Sequence, residues 1–143
     1  NVFHLGICTD ANEMKEQMLG VKAETLAQYG AVSSETAAEM AIGIRKAANA
    51  DFGVSITGIA GPTGGTPEKP VGTVYLAMAN ATAVYVQKLV IVNRTREAVR
   101  ESATHHALDM VRRMTLHLEQ PACQAFSVDC AAHMTDSNTM KNQ

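Results

Sequence analysis

Residues 55–77 read SITGIAGPTGGTPEKPVGTVYLA, and they limit what this 143-residue chain can fold into. Both ends have the apolar, β-branched character of strands. The middle holds Gly58, Gly61, Gly64 and Gly65 with Pro62, Pro67 and Pro70. Proline cannot donate to a β-ladder and glycine weakens one, so the middle is a loop joining two strands. The glycines open backbone torsions closed to other residues and let the chain approach a ligand closely. Thr57, Thr63 and Thr66 add hydroxyls and Lys69 adds a positive charge. Free amides, hydroxyls and a cation are what a phosphate or carboxylate needs. The three prolines stiffen a loop that is otherwise costly to order.

Two familiar phosphate motifs are excluded. The GxxxxGK[ST] spacing is absent, and GIAGPTGG does not lead into a helix as a dinucleotide fingerprint does. The plain alternative is a long hairpin connection in which glycine and proline only shape turns. Long loops inside compact domains are uncommon and tend to be functional, which favours a binding loop.

Around this loop the pattern alternates. Residues 2–9, VFHLGICT, read as a short buried strand. Asp10 is a good N-cap, with Glu13 three residues later as in a capping box, and Gly20 ends that helix. Residues 22–28 form a second short helix closing at Gly30. A third begins at Ser33 or Ser34, with Ala37, Met40, Ala41 and Ile44 on one face. Strands follow at 52–57, 71–78 and 83–92, the last two as a hairpin. Residues 95–118 form a long helix with Val99, Ala103, Leu108, Val111 and Met114 on or near one side. Strand, helices, strand, hairpin and helix together give a layered α/β domain with a mixed sheet flanked by helices. It covers residues 1–118. Residues 119–143 read as a polar tail, partly disordered or resting on a partner through Phe126, Val128 and Met134.

Net charge is -2, which offers no electrostatic footprint for nucleic acid or a membrane surface. No apolar run reaches the roughly 20 residues that span a bilayer. Cys8, Cys123 and Cys130 are too few and too scattered for a disulfide framework, so a reduced, cytoplasmic compartment is expected, or an organelle if an upstream targeting segment has been removed. Cys123 and Cys130 could still pair. No metal site is expected, and the adjacent His105 and His106 read as surface or boundary residues.

TGIAGPTGGTPEKPVGTVYLA resembles the signature of the C-terminal domain of the CinA, competence/damage-inducible, family. LGVKAETLAQYGAVSSETAAEMAIGIRKAANADFGVSITG is similar to that family through the preceding helices and strand. NRTREAVRESATHHAL resembles its last helix, with Arg96 and Arg100 at the family's arginine positions. The resemblance implies hydrolysis of the carboxamide of nicotinamide mononucleotide to nicotinic acid mononucleotide and ammonia, with no cofactor. It implies a pyridine nucleotide bound by Thr57, Gly58, Gly61, Gly64, Gly65, Thr66, Lys69 and Arg96. It also implies self-association or a place in a larger assembly.

For the chemistry, the resemblance implies a serine nucleophile, a lysine base and an assisting tyrosine. A serine hydroxyl is a weak nucleophile until a neighbour takes its proton. Lys15 matches the lysine, with Asn12 and Glu13 in register, but Asp10 and Ala11 stand where the family has tyrosine and serine. Without the resemblance, Lys15 reads as an exposed lysine of the first helix. The family's Glu-Ser-Cys-Thr-Gly-Gly nucleophile segment does not occur in these residues, and Ser33 and Ser55 read as a helix cap and a strand residue. Either the nucleophile lies upstream of a fragment, or the protein has shed it. Three functions follow: an amidohydrolase completed by an upstream serine, a degenerate structural or regulatory subunit, and a nucleotide-binding module without chemistry.

Overall fold

The computed structural model describes residues 2–120 and 123–128. Helices α1 (Asn12–Leu19), α2 (Ala23–Tyr29) and α3 (Ser34–Ala48) precede strands β1 (Gly53–Gly58), β2 (Thr73–Ala79) and β3 (Ala83–Val90); helix α4 (Arg96–Thr115) and strand β4 (Gln124–Ser127) follow. The four strands form one sheet in the order β1-β2-β3-β4.

The helices start and stop for local reasons. Ser33 caps α3 by accepting from the Thr36 amide at 3.1 Å, and Thr95 caps α4 by accepting from the Ala98 amide at 3.2 Å. Gly20 closes α1 in the left-handed conformation. The start of α1 differs from expectation. Its N-cap is Ala11, with no side-chain cap bond, so Asp10 does not cap it.

Two helices sandwich the sheet. On one face, Ala37, Ala38 and Ala41 of α3 pack on Ala77, Ala79, Val84 and Val86. Small side chains there bring helix and sheet backbones close. On the other face, Val99, Ala103, Ala107 and Met110 of α4 cover Val74, Leu76 and Met78. Leu108 was expected on this side, yet it is 61% exposed. It lies nine residues after Val99, two and a half turns at about 3.6 residues per turn, which turns it to the opposite face. Helix α1 meets α3 at Gly43, where a Cβ would overlap the Leu19 carbonyl oxygen. Buried Ser55 ties β1 to α3 by donating to the Ala37 carbonyl at 2.6 Å. We expect Ser55→Ala to lower stability by about 1 kcal/mol, read as a fall in the urea midpoint at constant slope. An unchanged midpoint would show that this bond contributes nothing.

The layered α/β class holds, but the expected mixed sheet does not. β1–β2, β2–β3 and β3–β4 all pair antiparallel. Residues 2–9 were expected to form a short buried strand. Those residues run extended without forming a strand, and Val2 and Phe3 are largely exposed. Ile7 alone among their large apolar side chains packs on the cluster of Leu19, Val21, Leu26 and Met40.

The tail also departs from expectation. Gln124–Ser127 pairs with Ala83–Val86, and Phe126 packs on the α3-side cluster. Apolar residues at 123, 126 and 128 were enough to seat a strand on an open sheet edge. Met134 and Cys130 lie outside the described residues. Cys8 and Cys123 are free thiols, and burial pushes the Cys123 thiol above its ordinary range. Among the described residues no helix is long and apolar enough to cross a membrane, and no cluster of His, Cys, Asp or Glu could hold a metal ion.

Candidate active site

The signature loop connects β1 to β2 as a long hairpin, residues 59–72. Its base continues the ladder: the Ile59 amide donates to the Thr73 carbonyl at 2.9 Å and the Gly72 amide to the Ile59 carbonyl at 2.7 Å. Gly61, Gly64 and Gly72 have φ of 84°, 91° and 94°, a region that L side chains rarely adopt. The Gly61–Pro62 bond is cis. Further out, Thr66 and Lys69 close a turn, with the Thr66 amide on the Lys69 carbonyl and the Lys69 amide on Thr66 Oγ1. The segment is therefore a hairpin connection whose glycines shape its turns, as the plain alternative expected.

Side chains then pin this loop to both helical layers. Lys69 Nζ donates to the Tyr29 carbonyl at 2.7 Å, satisfying an orphan carbonyl at the end of α2. Thr57 Oγ1, at the loop's base, donates to the Ala31 carbonyl at 2.7 Å. On the opposite face, Arg96 Nη1 donates to the Gly61 carbonyl at 2.9 Å. The loop thus clasps the end of the sheet between α2 and the first turn of α4.

Beside that clasp lies a cavity of about 440 Å³. Gly58 at the end of β1 and Ala60 of the loop form one side and Arg96 and Arg100 the α4 side, with Cys8 and Ile56 among the other lining residues. This volume suits a small molecule, whose sites span about 300–1,000 Å³. Arg96 and Arg100 stand one helical turn apart, so both guanidinium groups serve the same face. Planar guanidinium forks match phosphate and carboxylate oxygens in pairs. Both arginines are exposed, and Arg96 also spends one Nη1 hydrogen bond on the Gly61 carbonyl.

The sequence-predicted residues are therefore divided among three places. Gly58 and Arg96 line the cavity. Gly61, Gly64 and Gly65 shape the loop, while Thr57, Thr66 and Lys69 spend their polar atoms on the backbone. Lys15 occupies a third place. It is 5% exposed, not a surface lysine, and its ammonium donates to the carbonyls of Thr9 at 3.1 Å and Asp10 at 2.8 Å. Asp10 meets Lys15 through its backbone, and its side chain is exposed. Lys15 is not among the side chains lining the cavity, although a place at its edge was expected. Of the lining residues outside the predicted set, Arg100 and Thr104 carry strong hydrogen-bonding side chains; spacings of four and eight from Arg96 along α4 were the available signal.

Comparisons with known proteins bear on the family and the fold. The model of the CinA C-terminal domain matches residues 1–115. A Thermoanaerobacter pseudethanolicus protein bearing a competence-damage inducible name is 58% identical over 118 residues, covering 82% of this chain and 28% of that protein. A CinA-like protein of Kosmotoga olearia is 56% identical over 117 residues, with the same coverages. The chain thus spans little more than a quarter of the length of the curated relatives it matches. Among solved structures, the competence/damage inducible protein CihA from Agrobacterium tumefaciens superposes with a TM-score of 0.73 at 41% identity, covering 75% of this chain and 66% of that one. A competence-damaged protein (CinA) superfamily protein from Enterobacter cloacae gives 0.68 at 36% identity, covering 72% and 60%. With the family model matched from residue 1 through the last turn of α4, the chain belongs to the CinA C-terminal domain family.

Proposed function

We propose that these residues form the substrate-holding part of an amidohydrolase acting on nicotinamide mononucleotide. The observation that carries this reading is the convergence of Gly58 at the end of β1 and Ala60 of the signature loop with Arg96 and Arg100 from α4 on one cavity. The arginines take the phosphate, and the loop backbone borders the rest of the nucleotide. Hydrolysis also needs a nucleophile and a base. The family's serine segment is absent from these 143 residues. Lys15 is the family's base position, but as arranged here it is a donor to two carbonyls.

The expected result is binding without turnover. Titration calorimetry should give saturable heat with nicotinamide or nicotinic acid mononucleotide. Ammonia release from nicotinamide mononucleotide by these residues alone should stay at background. No heat with either nucleotide would remove the site; robust ammonia release would overturn the division between holding and chemistry. A second reading, a degenerate accessory subunit, is favoured by Asp10 standing at the tyrosine position. It predicts neither heat nor ammonia.

A further inference from the structure

Strand β4 lies beyond residue 115, where the match to the family domain ends. Its seat is the outer edge of β3. An open strand edge presents unpaired amides and carbonyls and is a template for another strand. Proteins blunt such edges with lysine, with short strands or with a cover. Along β3 the outer edge divides into two parts. Ala83–Val86 carries no charge, and it is the part paired with Gln124–Ser127. Beyond it come Gln87 and the exposed Lys88, which β4 leaves unpaired. The cover therefore lies on the stretch that lacks a charge of its own.

The cover is anchored on both faces of the sheet. Phe126 packs on the α3-side cluster and Cys123 on the α4-side cluster. The ladder continues at Val128, whose amide donates to the Thr82 carbonyl at 3.0 Å. Upstream, Arg113 Nη1 donates to the Glu119 carbonyl at 3.1 Å, and Gln120 Nε2 to the Met110 carbonyl at 3.2 Å. These contacts hold the approach to β4 against the end of α4.

We propose that residues 123–128 act as a strap that seals the Ala83–Val86 edge and prevents it from pairing with the same edge of a second copy of this chain. An antiparallel strand can meet its own copy across a two-fold axis, so one uncharged edge suffices for an isologous dimer. The occupant in the sealed state is the chain's own Gln124–Ser127; in the open state it is the second copy.

Sedimentation velocity over a range of concentrations tests this on three proteins. These are the full chain, the chain ended after Leu118, and the ended chain carrying Ala83→Lys. Ending the chain should tighten self-association at least tenfold, and Ala83→Lys should return it to the full chain's value. Should the shortened chain fail to fold by circular dichroism, Phe126→Asp in the full chain loosens the strap without removing it. That variant should show the same tightening, with faster hydrogen exchange in residues 83–86. Unchanged association on loosening or removing the strap would overturn the proposal, and so would association that Ala83→Lys does not reverse.

Discussion

Gly72→Ala is expected to lower stability by about 3 kcal/mol or more, the largest effect of any single change in the signature loop. Two costs combine at this residue. Its φ of 94° lies where an L side chain is strained by about 1–3 kcal/mol. A Cβ there would also overlap the Ile91 carbonyl oxygen, and crowding of a packed site adds about 1–3 kcal/mol. Relief by movement is restricted, because Gly72 donates to Ile59 and accepts from Ile91. Gly64→Ala is the matched control. It shares a positive φ of 91°, but its nearest neighbour would be Ile59 Cγ2 at 3.7 Å, an ordinary contact. Strain alone should cost about 1–2 kcal/mol there. Urea unfolding of both variants separates the terms. A loss at Gly72 no greater than at Gly64 would mean that the backbone at Ile91, just after β3, moves aside freely.

Arg96→Ala should weaken mononucleotide binding by about 10- to 100-fold, since a hydrogen bond to a charged group contributes about 1.5–3 kcal/mol. This effect has two sources that a second variant separates. Arg96 faces the cavity and also holds the Gly61 carbonyl, so its loss both removes a charge and loosens the loop. Arg100 lines the same cavity from the next turn of α4. Arg100→Ala should therefore cost affinity while leaving the loop's anchor in place. Calorimetry with nicotinic acid mononucleotide gives the affinities, and hydrogen exchange over residues 59–72 reports the loop. Unchanged affinity in both variants would take the arginines out of the site. Faster exchange in Arg96→Ala alone would assign its anchoring role.

Strong local signals carried the helices. Ser33 and Thr95 precede apolar periodicity and cap α3 and α4, because a side-chain oxygen satisfying an amide is a local event. The loop was legible for the same reason: glycine and proline state their torsions without reference to the rest of the chain. The hairpin of β2 and β3 was legible from the turn at Asn80, whose Oδ1 accepts from the Thr82 and Ala83 amides at 2.9 and 2.8 Å. Residues 2–9 misled because an apolar run predicts burial only if a neighbour exists to bury it. β1 has a described strand partner on one side only, β2, and residues 2–9 do not pair on the other. Residues 124–127 misled in the opposite direction. A polar, irregular sequence became a strand because an unpaired edge was within reach.

The site shows the same division. The sequence by itself determined the family, the loop and its glycines, the caps of α3 and α4, and the presence of arginines one turn apart on α4. Those features rest on contacts between near neighbours or on a motif too long to arise by accident. Only the tertiary structure decided which polar groups are free for a ligand. Lys69 and Thr57 look like ligand-binding groups along the chain, yet each is engaged with a backbone carbonyl 40 and 26 residues upstream. Lys15 looks like a surface lysine, yet it is buried under two carbonyls. A carbonyl brought near by packing has no signature in the sequence around the side chain it accepts from, so the side chain's employment is settled only when the layers meet.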